Sequence, residues 1–231
     1  MLYYEKLLRL EVFTTNDVYR LINSKRAALA LLQRYMEKGI IRKIKKNLYT
    51  CVNLQNGESA ANRFMIGSNI NNTAYISHHS AFEYYGFTNQ VFYDIYVSSD
   101  NRFATFGFEG ITYKHVRSNT EKGIVVSETN AKIKVTDLER TVIDCIKDID
   151  LAGGAEELLQ CLELVTSLDN GKFYAYLNEY DTQFLYQKAG FIFERYRESL
   201  NITDDLINYC LDKVKDCVRY FDHATKEEKG Y

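Results

Sequence analysis

The sequence predicts an α+β protein: an N-terminal winged helix–turn–helix, a mixed α/β region after it, and an all-helical C-terminal region. Three observations carry this prediction. Residues 1–52 hold three short amphipathic segments followed by two β-favouring runs around a basic turn. From about 55 to 150, short helical and strand-like runs alternate, and from about 151 onward the apolar spacing is helical. The polar stretch from Asn53 to Ala60, which contains Gly57, marks the join, so the expected division is 1–54 and 55–231.

The first helix is expected over Leu2 to Leu10, with Leu7, Leu8 and Leu10 as its apolar contacts. Thr14 and Thr15 offer caps for a second helix that runs to Ile22 and buries Val18, Leu21 and Ile22. Asp17 stands three residues after Thr14, the spacing of a capping box. Asn23-Ser24 interrupts the pattern, and Ser24 can cap a third helix from about Lys25 to Lys38 that stops at Gly39. Leu29, Leu32 and Met36 form its apolar stripe, with Ala28 and Tyr35 beside them. Beyond Gly39 the period changes: Ile40 to Ile44 and Leu48 to Val52 are two strands joined through Lys45-Lys46-Asn47. Asn47 tolerates the left-handed conformation that a tight hairpin turn needs.

Charge singles out the same segment. The chain carries a formal net charge of −2. Residues 1–52, with eleven basic and four acidic groups, hold +7, and the remainder holds −9. A basic head on an acidic body points to a polyanionic partner for the head. In a helix–turn–helix the second helix enters the major groove N-terminus first. That places Ser24, Lys25 and Arg26 at phosphates or base edges, where the positive end of the helix dipole assists them. Arg34 lies off the apolar stripe and can reach the backbone, and Arg42, Lys43, Lys45 and Lys46 make the hairpin a basic wing along the duplex. The alternative for the same fold is a protein-interaction module.

In the second region, helices are expected over Ala61 to Ile70 and Ser77 to Tyr85, the latter closed by Gly86. Strands are expected over Val91–Val97, Ile111–Val116, Ile124–Val126 and Ala131–Val135. Thr136 and Glu139 have capping-box spacing ahead of a helix through Asp148, and further helices are expected at about 155–168, 171–180, 182–199 and 203–221. The tail from Asp222 to Tyr231 is charged and expected to fray. The aromatic run around Phe92, Tyr93 and Tyr96 alternates as a buried strand does, which favours core over base stacking.

Several chemistries find no support. Hydrophobic residues at 46% exclude disorder, and no run approaches the roughly 20 apolar residues of a membrane helix. The N-terminus lacks a signal-peptide core, so a cytoplasmic protein is expected. The five cysteines (Cys51, Cys145, Cys161, Cys210, Cys217) show no C-x-x-C pair, and small buried hydrophobes are expected rather than a disulfide framework or a zinc site. His78 and His79 are adjacent, about 100° apart on a helix, so one is expected to pack and the other to face solvent. A restriction-type nuclease pairs an acid such as Asp94 with a (D/E)-x-K on the next strand, but Lys114, Lys132 and Lys134 lack the acid two residues before them. Gly67-Ser68 has no paired aspartates nearby, as a nucleotidyltransferase needs, and there is no P-loop or G-x-S-x-G. The expectation is a non-enzymatic body with no metal and no cofactor.

Taken together, the segments IRKIKKNLYT, AYISHHSAFEYYGFTNQVFYDIYV and KVTDLERTVIDCI, followed by an all-helical C-terminus, resemble the AbiEi family of antitoxins. These belong to type IV toxin–antitoxin systems that defend against phage by abortive infection. The resemblance is strongest over residues 10–52 and 74–97, with Ser80-Ala81-Phe82 through Gly86-Phe87-Thr88 its most specific part. Asn47 departs from the glycine usual in the family's wing turn. The resemblance implies an N-terminal domain that represses its own operon by binding inverted repeats in the promoter DNA, as a monomer that pairs on DNA. It also implies a larger domain that counters a nucleotidyltransferase-type toxin without a stable complex. The alternative is a winged-helix transcription factor whose C-terminal body senses a ligand or dimerises.

Overall fold

The computed structural model describes residues 3–127 and 132–214. It is a mixed α/β structure with ten α-helices and two sheets among the described residues. No helix there is long and apolar enough to cross a membrane.

The chain opens with α1 (Tyr4–Leu10), β1 (Val12–Thr14), α2 (Thr15–Ile22) and α3 (Lys25–Glu37), followed by the hairpin β2 (Ile41–Lys45) and β3 (Leu48–Cys51). Both expected caps form. Thr14 accepts from the Asp17 amide at 3.2 Å while Asp17 accepts from the Thr14 amide at 2.8 Å, and Ser24 accepts from the Ala27 amide at 3.4 Å. Gly39 takes φ +65° after the C-cap Lys38, and Asn47 takes φ +64° in the hairpin turn. The short strand β1 is not expected from the sequence. It pairs antiparallel with β3, giving a sheet ordered β1-β3-β2.

The apolar stripe of α3 is displaced from the expected one. Ala28, Leu31, Leu32 and Tyr35 are buried, whereas Leu29 and Met36 are 57% and 36% exposed. Both sets have helical spacing, and contact with Phe13, Val18, Ile41 and Tyr49 decides between them.

The six-stranded second sheet runs β6-β7-β5-β4-β9-β8, built from β4 (Tyr75–Ile76), β5 (Asp94–Ser99), β6 (Phe106–Phe108), β7 (Ile111–Arg117), β8 (Ile124–Val126) and β9 (Lys134–Thr136). It is mixed: β5 lies parallel to β7 and β4 to β9, while the remaining pairs are antiparallel. Glu109 (φ +48°) and Gly110 (φ +78°) turn β6 into β7, a two-residue hairpin not expected from the sequence. The strand expected from Val91 begins only at Asp94, and part of the one expected from Ala131 lies outside the described residues. Two helices, α4 (Arg63–Ser68) and α5 (His79–Tyr85), pack with this sheet. Gly67 sits so close to it that a Cβ would meet Ile76 Cδ1 at 2.7 Å.

A helical layer follows: α6 (Leu138–Lys147), a 3-10 turn (Ile149–Ala152), α7 (Ala155–Leu164), α8 (Asn170–Tyr180), α9 (Gln183–Arg195) and α10 (Asp204–Asp212). Three of these helices end earlier than expected, at Leu164, Arg195 and Asp212; the expected end of the last, at 221, and Cys217 lie outside the described residues. The expected Thr136–Glu139 capping box does not form. Asp137 caps α6, accepting from the Arg140 amide at 2.8 Å, while Thr136 pairs with Thr141 and Glu139 accepts from the Asp169 amide. Aspartate is the stronger cap and wins the competition with the preceding threonine.

At the centre of this layer Arg140, 2% exposed, donates to Asp144 at 2.7 Å and to the Lys122 carbonyl at 2.5 Å. Its guanidinium lies 5.3 Å from the Tyr180 ring centroid, and the Tyr180 hydroxyl donates to Asp144. Gly123, at φ +74°, makes room for this group, since a Cβ there would meet the Tyr176 hydroxyl at 2.6 Å. Removing one partner of a buried pair leaves the other charge uncompensated. Arg140→Ala is therefore expected to cost about 3–5 kcal/mol in urea denaturation; a loss below about 1 kcal/mol would remove this pair from the structural core.

Candidate nucleic-acid interface

The basic residues of the head divide into two groups by where the fold sends them. Lys25, Arg26 and Arg34 are exposed on α3, and none makes an ion pair among the described residues. Lys25 Nζ stands 6.0 Å from the Tyr19 ring centroid, and the Arg34 guanidinium 5.8 Å from that of Tyr35. Ser24 is engaged as the helix cap, and its hydroxyl proton is left to donate outward. Lys43 and Lys46 are exposed on the hairpin.

The tip of the hairpin is tied to the helix pair. Thr15 Oγ1 donates to Asn47 Oδ1 at 3.1 Å. Thr15, Tyr19, Lys25, Leu29 and Asn47 line a common cleft of about 250 Å³. Asn47, the residue after Lys46, therefore shares a cleft with Lys25 of α3. The five cations have no acidic partner among the described residues, and Lys25 stands in the first turn of α3, where the helix amides are positive.

Arg42 and Lys45 go elsewhere. Arg42 is ion-paired with Glu109 and donates to the Gly57 carbonyl at 2.9 Å; Ser59 also donates to Glu109, at 2.7 Å. Lys45 Nζ lies 5.2 Å and 5.4 Å from the Phe103 and Phe106 ring centroids, and burial lowers its pKa. Their positions in a basic run carry no sign of this, because the partners lie sixty residues away in the β6–β7 region.

The other expected sites resolve into structure. Asp94 pairs with Lys114 at 2.6 Å across parallel strands. Ser68, beside Gly67, accepts from the Lys134 amide at 2.7 Å. The expectation for the two histidines is corrected, since both are buried. His78 is not helical: it takes φ +54° and ψ −140° at the N-cap of α5, so the 100° step between helical neighbours does not apply. Its Nδ1 is 2.9 Å from Ser77 Oγ and its Nε2 3.7 Å from Asp148. His79 Nε2 is 2.9 Å from Glu157 Oε1, which also accepts from Thr88 at 3.0 Å and from the Cys161 thiol at 3.6 Å. Burial, then Glu157, pushes that thiol up to about 12. The structure brings His79, Glu157 and Cys161 together, a grouping that the sequence spacing does not show. Glu157 and Cys161, four apart on one helix face, were the available signal.

No protein-family model matches the chain, and no curated protein matches it in sequence. Among solved structures, the fold is similar to that of the RV2827C protein from Mycobacterium tuberculosis. The TM-score is 0.64 at 14% identity, covering 95% of this chain and 84% of that one. At such identity the likeness is one of fold.

Asp148 supplies a pH test of this region. Burial opposes its charge, but His78 at 3.7 Å and the Lys147 ammonium at 2.6 Å outweigh that and bring its pKa from 3.8 to about 2. A carboxyl depressed on folding adds stability above its unfolded value, and that stability is lost as pH falls through the folded one. Asp148→Asn is expected to flatten the fall in urea midpoint between about pH 4 and pH 2. The effect is modest because the side chain is partly exposed. Superimposable pH curves would remove Asp148 from acid stability.

Proposed function

We propose that the chain is a DNA-binding regulator that uses a winged helix–turn–helix, and that it acts as a cytoplasmic antitoxin repressing its own type IV toxin–antitoxin operon. The observation that carries the DNA reading is the set of exposed cations without ion-pair partners among the described residues on α3 and the hairpin, with Lys25 and Asn47 lining one cleft. The element order supports it: two helices joined by Asn23-Ser24, the second followed by an antiparallel hairpin that serves as the wing. Thirteen residues make α3 about 20 Å long, enough to lie in a major groove about 12 Å wide. Lys25, Arg26 and Arg34 would meet the groove, with Ser24 at its entry, and Lys43 and Lys46 would meet phosphates.

The antitoxin role rests on the resemblance of residues 10–52 and 74–97 to the AbiEi family. On that reading two chains pair on inverted repeats of the promoter, and the body beyond residue 54 counters a nucleotidyltransferase-type toxin without a stable complex.

Salt dependence separates the two groups of cations. Each phosphate contact contributes about 0.9 to the log–log slope of affinity against salt. Replacing both Lys43 and Lys46 by alanine is expected to lower the slope by about 1.8. Lys45→Ala leaves it nearly unchanged, because that ammonium already sits against two rings. Equal slopes for all three proteins would mean the hairpin does not touch phosphate.

Repression and rescue should also come apart. Arg26→Ala is expected to lose promoter repression while still protecting cells that express the toxin encoded beside the gene. Loss of protection together with repression would contradict the division of labour, and no protection by the wild type would refute the antitoxin role alone.

A further inference from the structure

We propose that His79, Glu157 and Cys161 form a binding site for a zinc-class transition-metal ion that ties the start of α5 to α7. Three chemically distinct donors converge from residues 79, 157 and 161, and their ligating atoms all lie within 4.8 Å of one another. Donors around a tetrahedral zinc, at about 2.0–2.3 Å from the ion, stand about 3.3–3.6 Å apart. The Cys161 Sγ to Glu157 Oε1 separation is 3.6 Å, and the His79 Nε2 to Glu157 Oε1 separation of 2.9 Å has to open only slightly.

Burial makes the grouping unusual. The side chains of His79 and Glu157 are 1% and 5% exposed, and Glu157 Oε2 has no hydrogen-bond partner among the described residues. A carboxylate so buried needs a cation or a full set of donors. The fourth position has an occupant at hand: Thr88 Oγ1 lies 3.0 Å from Glu157 Oε1 and 3.5 Å from His79 Nε2. Thr88 belongs to the segment 86–93, whose Asn89, Gln90, Val91 and Tyr93 are exposed, so one loop separates the site from solvent. The thiolate selects the class of ion. Sulfur with imidazole and one carboxylate suits zinc or cobalt(II) and disfavours magnesium and calcium. On binding, the ion takes the Cys161 sulfur as thiolate and the thiol proton leaves to solvent.

The site is independent of the DNA-binding reading, and its test uses the full chain. Protein purified in reducing buffer without chelator is titrated with Zn²⁺, Co²⁺ and Mg²⁺. One zinc per chain is expected, together with a rise in thermal midpoint that Mg²⁺ does not produce. Cobalt should give a thiolate-to-metal charge-transfer band at one equivalent. Cys161→Ser should abolish the band and weaken zinc binding by more than about 100-fold, beyond the cost of losing an outer partner alone. Cys210→Ala, at a buried thiol on α10, should leave the band intact. The absence of both the band and the zinc-dependent shift in the wild-type protein would overturn the proposal. So would a band that survives both Cys161→Ser and His79→Gln. Should Cys161→Ser fail to fold, His79→Gln and Glu157→Gln carry the same readout.

Discussion

The hairpin β2–β3 belongs to two cores at once, and the arrangement of the molecule depends on that double burial. All four residues of β3 are buried, and they alternate in destination as strand geometry requires. Tyr49 and Cys51 join the core under α2 and α3, whereas Leu48 joins Met65, Ile66, Ile95 and Tyr113. On β2, Ile41 faces the first core and Ile44 the second, as alternation along a strand requires. Burying Ile44 and Leu48 is worth about 1.5–3 kcal/mol each. The Arg42–Glu109 pair and the Lys132 ammonium on Glu11 and the Arg9 carbonyl close the edges of this contact.

That docking divides the basic charge of the head. A free wing would offer four cations to a polyanion; here two are held by the second sheet, and Lys43 and Lys46 remain exposed. The polar stretch 53–60 is part of the same clamp. Its ends pair through Val52 and Ser59, the Asn53 amide donates to the Glu58 carbonyl at 2.8 Å, and the Gly57 carbonyl accepts from Arg42. A head fixed in this way presents its helix in one orientation relative to the body.

Most local chemistry was legible in the sequence, the Thr136–Glu139 capping box excepted, and distant chemistry was not. The caps at Thr14 and Ser24, the turn at Asn47 and the stop at Gly39 are settled within a few residues of themselves, and all four appear where the sequence places them. The α3 stripe was ambiguous because two overlapping sets share helical spacing, and only packing from α2 and the hairpin selects one. The three-residue strands β1 and β6 are not expected from the sequence, whereas Ile124–Val126, equally short, is. Arg42, Lys45 and His79 take their roles from partners 58 to 82 positions away, which no local pattern reveals. His78 defeated a geometric rule that was sound for helices, because its backbone leaves the helix at that residue.

The central claim concerns a surface, and hydrogen exchange read by mass spectrometry maps that surface directly. The full chain is compared with and without a duplex carrying the operon's upstream inverted repeats. Slowed exchange is expected in peptides covering residues 24–34 and 43–47, with residues 103–109 unchanged. Slowing confined to the helical layer, or none in α3 and the hairpin tip, would contradict it.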